Sequence, residues 1–83
     1  MIYSINYTKH ALEELEKLDK ELSKRIISVL ERIRIRPFSF VLRLVGTNYY
    51  RLRVGEYRVI LDINNNELII LVIELGHRKN IYK

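Results

Sequence analysis

Apolar and polar positions alternate at the start of the chain, with Tyr3, Ile5 and Tyr7 on one side and Ile2, Ser4 and Asn6 on the other. A period of two predicts a half-buried strand. Thr8 follows and can cap a helix. Ala11, Leu12, Leu15 and Leu18 then recur at helical spacing, opposite Glu13, Glu14, Glu16 and Lys17. Asp19 can cap a second helix, whose apolar stripe is Leu22, Ile26, Val29, Leu30 and Ile33. That helix must end before Pro37, because the residue preceding a proline disfavours helical backbone. Residues 8–36 therefore read as a helical hairpin with one apolar seam.

The next twelve residues, "PFSFVLRLVGTN", carry no helical period. Phe38, Phe40, Leu42 and Leu44 alternate with smaller or polar residues, which predicts an extended, partly buried connection over the core. Gly46-Thr47-Asn48 supplies a turn. "YYRLRV" and "YRVILDI" flank Gly55-Glu56, the pattern of a hairpin with a type II′ turn. Asn64, Asn65 and Asn66 mark another turn, and "ELIILVIELG" is apolar on both faces, as in a covered central strand. The tail "HRKNIYK" is polar and basic, with Ile81 and Tyr82 as candidate anchors. The order predicts a single α+β domain over residues 1–83. An N-terminal strand and a helical hairpin are followed by a three-stranded antiparallel meander, with the helices packed on one sheet face. The other face is left open.

Composition narrows the function. The chain has 83 residues, with no cysteine and two histidines, His10 and His77. Disulfides and thiolate metal sites are excluded, and no cofactor is called for. The N-terminus lacks a charged start followed by an apolar run, and the longest apolar run, residues 68–73, is far short of a membrane span. A cytoplasmic protein with no membrane partner is expected. Fifteen Lys and Arg against ten Asp and Glu give a net charge of +5, which favours a polyanionic partner.

The hairpin decides where that charge points. With Gly55-Glu56 as the turn, Val54 pairs with Tyr57, Arg53 with Arg58, Leu52 with Val59 and Arg51 with Ile60. Tyr50, Leu52, Val54, Tyr57, Val59 and Leu61 share the helix-facing side. Arg51, Arg53 and Arg58 share the open side, Arg53 directly opposite Arg58. Like charges so placed destabilise a hairpin by a few tenths to about 1 kcal/mol. A solvated face, a guard against edge-to-edge pairing and pairing with acids elsewhere are the structural readings. The functional reading is a cationic patch for phosphate, which the planar guanidinium fork suits. The end of the last strand, if it lies beside "YRVILDI", brings His77, Arg78 and Tyr82 near the patch. Such a set suits RNA phosphodiester cleavage, because the 2′-hydroxyl is the nucleophile and the protein supplies orientation, charge stabilisation and proton transfer.

"ALEELEKLDKEL", the break at Arg36-Pro37, "RLVG", "YYRLRVGEYRVIL" and "ELGHRKNIY" together resemble the RelE/ParE toxin superfamily over essentially the whole chain. The likeness is strongest to its RelE branch. It implies a RelE-like fold and the toxin of a type II toxin–antitoxin system, a ribosome-dependent endoribonuclease that cleaves mRNA in the A site by metal-free 2′-hydroxyl attack. It implies a RelB-like antitoxin partner, contacts with 16S rRNA and a toxin–antitoxin heterotetramer. The family's catalytic residues match Arg58, Arg78 and Tyr82, and its basic strand positions match Arg51 and Arg53. Arg43 and Lys79 add phosphate contacts. Family members carry lysines where Arg51 and Arg53 stand, one of them a proposed general base, and a guanidinium does not accept a proton near neutrality. Tyr82 and His77 are the alternatives for that role, imidazole being the side chain that ordinarily titrates there. A gyrase-inhibiting, ParE-like toxin and a catalytically weak relative that binds RNA or antitoxin are the competing readings.

Overall fold

The structure is a computed structural model that describes residues 2–77; the expectations for Arg78, Lys79, Ile81 and Tyr82 fall outside the described residues. The chain runs β1 (Ser4–Tyr7), α1 (Lys9–Lys17), α2 (Lys20–Arg32), a 3-10 turn (Pro37–Ser39), β2 (Leu42–Arg43), β3 (Tyr50–Val54), β4 (Tyr57–Asn64) and β5 (Ile69–His77). The five strands form one sheet in the order β1-β5-β4-β3-β2. All neighbours are antiparallel except β1 and β5, which are parallel. The expected α+β arrangement holds, with helices on one face. The strand count exceeds the expected one by β2, which turns the chain's predicted extended connection into an edge strand.

Both helix starts are set by the residues the sequence singles out. Thr8 Oγ1 accepts from Ala11 N–H at 3.0 Å, and Asp19 Oδ1 accepts from Leu22 N–H at 2.9 Å. Ala11 and Leu15 from α1, with Ile26, Leu30 and Ile33 from α2 and just beyond it, are buried against Leu52, Val54, Val59, Leu61, Ile63, Ile70, Val72 and Leu75 of the sheet. The end of α2 is tied to the start of β1 by Arg34. Its backbone carbonyl accepts from Tyr3 N–H at 2.9 Å, its Nε donates to the Tyr3 carbonyl at 2.8 Å, and its Nη1 meets Glu31 Oε1 at 2.6 Å. Arg34 is thus a structural cation.

Thr8 has a second task. Its hydroxyl donates to the Ile73 carbonyl at 2.7 Å, while its N–H bonds Val72 O at 3.0 Å. Ile73 is the extra residue of a β-bulge, because Leu61 pairs with Val72 whereas Ile60 pairs with Glu74. The bulge reverses the side-chain parity of β5, so Ile70 and Val72 face the helices before it and Leu75 faces them after it. The apolar run gave no sign of this reversal.

The segment before β2 also differs from expectation. Pro37 is buried and anchors the 3-10 turn, but Phe38, Phe40 and Leu42 remain 46%, 50% and 61% exposed. Leu42 pairs with Arg51 and so lies on the side of the sheet away from the helices. The segment borders the sheet edge and meets the core only in part, through Val41, with Pro37 buried.

Two outcomes are expected. Thr8→Ala removes the cap and leaves the Ile73 carbonyl without its donor, so it lowers stability by about 1–2 kcal/mol, while Thr8→Ser retains most of it; urea midpoints compare the three proteins. Burial, and secondarily Glu31, raises the pKa of Tyr7, with Arg34 opposing. Its neutral ring's contribution is complete below pH 10.0, the ordinary tyrosine value, and is lost as pH rises through the raised one. Tyr7→Phe therefore flattens the alkaline decline of the melting temperature.

Candidate nucleic-acid interface

A two-residue turn sets the site. Gly55 has φ +59° and Glu56 has no positive φ, as a type II′ turn requires. A Cβ at Gly55 would also lie 3.4 Å from Arg25 Nη1, whose guanidinium, carried on α2, rests over the turn. The resulting register is Val54 with Tyr57, Arg53 with Arg58, Leu52 with Val59 and Arg51 with Ile60, as the sequence predicts. Leu52, Val54, Val59 and Leu61 are buried under the helices. Strand alternation therefore turns Arg51, Arg53 and Arg58 to the open face.

The three arginines differ in setting. Arg53 is exposed and its Nε donates to Gly55 O at 3.3 Å, which holds the stem beside the turn. Arg51 and Arg58 are half-buried, and Arg58 Nη1 is shielded from solvent. On β5 the residue opposite Arg58 is Gly76, which places no side chain beside the guanidinium. Phe40, Leu42 and the three arginines line one cavity of about 130 Å³. Beyond it Leu44, Val45, Tyr49, Ile60 and Ile73, together with Thr47 and Glu74, border a wider hollow of about 390 Å³.

The other expected site residues are placed differently. β5 does lie beside β4, but the bulge puts His77 opposite Tyr57, on the helix-facing side. The rings meet edge to face at 5.6 Å, and His77 borders a hollow with His10, Glu14 and Lys17. Without the bulge, alternation from Val72 would have set His77 among the arginines. Arg43 pairs with Tyr50 and so is likewise turned from the array by register. Its guanidinium sits 6.0 Å from the Tyr50 ring centroid, with Nη2 3.5 Å from Asn48 Oδ1, although at the sheet edge it still borders a hollow with Arg51.

Three residues of this region escaped the sequence reading. Phe40 stands beside the arginines, Arg25 covers the turn, and Glu74 is turned to the open face opposite Ile60 by the bulge. The alternation in "PFSFVLRL" hinted at Phe40. Nothing local marks the other two. Among the described residues no group of three or more His, Cys, Asp or Glu side chains is arranged to hold a metal ion. Nor is any helix among them long and apolar enough to cross a membrane.

Two helices packed on one face of a five-stranded, mostly antiparallel sheet match the fold of solved RelE structures. Residues 5–82 match the family described as the ParE toxin of the type II toxin–antitoxin system, and the chain belongs to that family. Within the superfamily it falls on the RelE-like branch. It is 29% identical over 82 residues to an Escherichia coli protein described as a RelE-like toxin, covering 95% of this chain and 86% of that one. The archaeal RelE–RelB complex of Pyrococcus horikoshii contains a chain with TM-score 0.82 and 29% identity, over 96% of this chain and 99% of that one. The antitoxin–toxin complex of Methanococcus jannaschii gives TM-score 0.73 and 26% identity, over 94% and 95%.

The arrangement sets folding against binding at one residue. Replacing Arg53 by threonine relieves the Arg53–Arg58 opposition and should stabilise the hairpin by a few tenths to about 1 kcal/mol. The same change should weaken polyanion binding and reduce its dependence on log salt by about one unit. Thermal melts and salt-titrated binding to a single-stranded oligonucleotide measure both in one variant.

Proposed function

We propose that the chain is a ribosome-dependent endoribonuclease that cleaves mRNA in the A site without a metal and so inhibits translation. The observation that carries this reading is the set of three guanidinia on one uncovered sheet face, with Arg58 half-buried beside Gly76. A half-buried charge is weakly screened, so it stabilises developing phosphoryl charge better than an exposed one. In the proposed reaction the mRNA 2′-hydroxyl gives up its proton and attacks the adjacent phosphorus as the bond to the 5′-oxygen breaks, leaving a 2′,3′-cyclic phosphate, and the departing oxygen takes a proton from solvent to become a 5′-hydroxyl. Arg51 and Arg53 hold the strand, and Arg58 stabilises the phosphoryl oxygens. Arg78, Lys79 and Tyr82 complete the set, with Tyr82 as the proton acceptor. The helix-side placement of His77 weighs against it in that role, and Arg43 serves as an outlying phosphate contact at the sheet edge.

A RelB-like antitoxin is the proposed protein partner, RelB being the partner in the named complexes, with an acidic segment and heterotetramer assembly as the proposed form. It would neutralise the cationic face. The match to the ParE toxin family supports a second reading, inhibition of gyrase, which needs no nuclease chemistry.

Controlled expression followed by mapping of mRNA 5′ ends tests the proposal. Cuts within codons at the A site are expected. Arg58→Ala should reduce them by about 100-fold or more, on the scale of losing one transition-state charge stabiliser. Undiminished cleavage by Arg58→Ala would remove the assigned role, and gyrase-trapped DNA breaks without mRNA cuts would favour the second reading.

A further inference from the structure

Two phenylalanines occupy the short segment "PFSF" and their settings differ. Phe38 packs edge to face on Tyr50, with ring centroids 5.4 Å apart and an interplanar angle of 72°. Together with buried Pro37 it fixes the 3-10 turn to the sheet. Phe40 closes that turn, its N–H bonding Pro37 O at 3.1 Å, and stays half exposed. Two residues later Leu42 pairs with Arg51 on the arginine side of the sheet, and Phe40 reaches that side too. There it lines the same cavity as Arg51, Arg53 and Arg58.

We infer that Phe40 is a stacking platform for one nucleobase of a single-stranded RNA whose neighbouring phosphate is held by Arg51, Arg53 and Arg58. This rests on the RNA reading above and deepens it by naming a base contact. The chemistry favours a base over an apolar protein side chain. An aromatic ring and guanidinium planes both present flat faces that a nucleobase can stack against, and the base brings its own phosphate to the cations. An aliphatic side chain would cover the guanidinia without supplying charge. The cavity, about 130 Å³, has room for one planar ring. The backbone of Phe40 is held by the anchored turn, so only the side chain needs ordering when a base arrives. Its substitution leaves the core intact, because Phe40 is not part of it.

Binding of 2′-O-methyl oligoribonucleotides, which cannot be cleaved, tests the inference by fluorescence anisotropy at low salt. Each oligonucleotide is used intact and with a single abasic position moved along its length. Phe40→Ala should weaken binding of the intact strand by about 5- to 100-fold. Phe40→Trp should retain affinity, and Phe40→Leu should lose as much as Phe40→Ala despite its apolar bulk. At one abasic position the wild type should fall to the affinity of Phe40→Ala, and Phe40→Ala should lose nothing more. Equal affinity of wild type and Phe40→Ala overturns the inference, as does rescue by leucine, a loss that persists at every abasic position, or a wild type that binds no strand. A Phe40→Ala protein that binds RNA normally but no longer captures an acidic protein partner also overturns it. Base-dependent stacking without mRNA cleavage would overturn the nuclease reading alone. Cleavage with an indifferent Phe40 would overturn this inference alone.

Discussion

The register of the β3–β4 hairpin is the constraint on which the site depends. Burying Leu52, Val54, Val59 and Leu61 contributes about 1.5–3 kcal/mol for each side chain. The opposition of Arg53 and Arg58 costs at most about 1 kcal/mol. A one-residue slip would exchange the faces, exposing the four apolar side chains and driving three cations into the core. Burial therefore wins by a wide margin and dictates where the arginines point. It says nothing about why those positions carry arginine. Any polar residue would satisfy the fold there, and a less repulsive one would satisfy it better.

A second device fixes the other flank of Arg58. The Ile73 bulge changes which residues of β5 face the open side, so Gly76 and not His77 stands beside Arg58. Thr8 secures it from 65 positions away, with the hydroxyl that caps α1 also bonded to Ile73 O. One side chain thereby couples the helix layer, the parallel β1–β5 pair and the parity of the strand next to the arginines. Loosening it would disturb the cationic face without touching a single arginine.

These two devices separate what could be read in the chain from what could not. The caps at Thr8 and Asp19 and the turn at Gly55 are local chemistry, where the residue that decides the geometry lies within a few positions of its effect. Alternation then carries the hairpin register outward without loss, so Arg51, Arg53 and Arg58 were legible as a group. The bulge was not, because "ELIILVIELG" is apolar on both sides and offers no alternation against which a skipped residue would show. His77 was misplaced for that reason alone. Segment 37–48 was opaque for another: its alternation does not reveal that pairing is confined to a two-residue edge strand, so neither the turn of Arg43 away from the array nor the exposure of Phe40 was evident. Basic residues also cannot be told apart by counting. Arg34 fastens α2 to β1, and Arg25 lies over the hairpin turn.

Net charge is accordingly a poor measure of this face. Glu13, Glu14, Glu16, Asp19 and Glu21 cluster on the helical hairpin, on the opposite side of the sheet from the arginines. The molecule is 22 Å across even in its thinnest direction. Screening acts over about 10 Å at 0.1 M salt, so the acids weaken the field at the open face very little. A polyanion approaching from that side meets the arginines, with Glu74 beyond them, and one approaching from the helices meets carboxylates interspersed with Lys9, Lys17, Lys20, Lys24, Arg25 and Arg32. The open face thus concentrates like charge, whereas the helices carry both signs, a difference that a total of +5 conceals. Orientation of the encounter follows from that concentration, and it would persist in a variant whose net charge was brought to zero by adding acids to the helices.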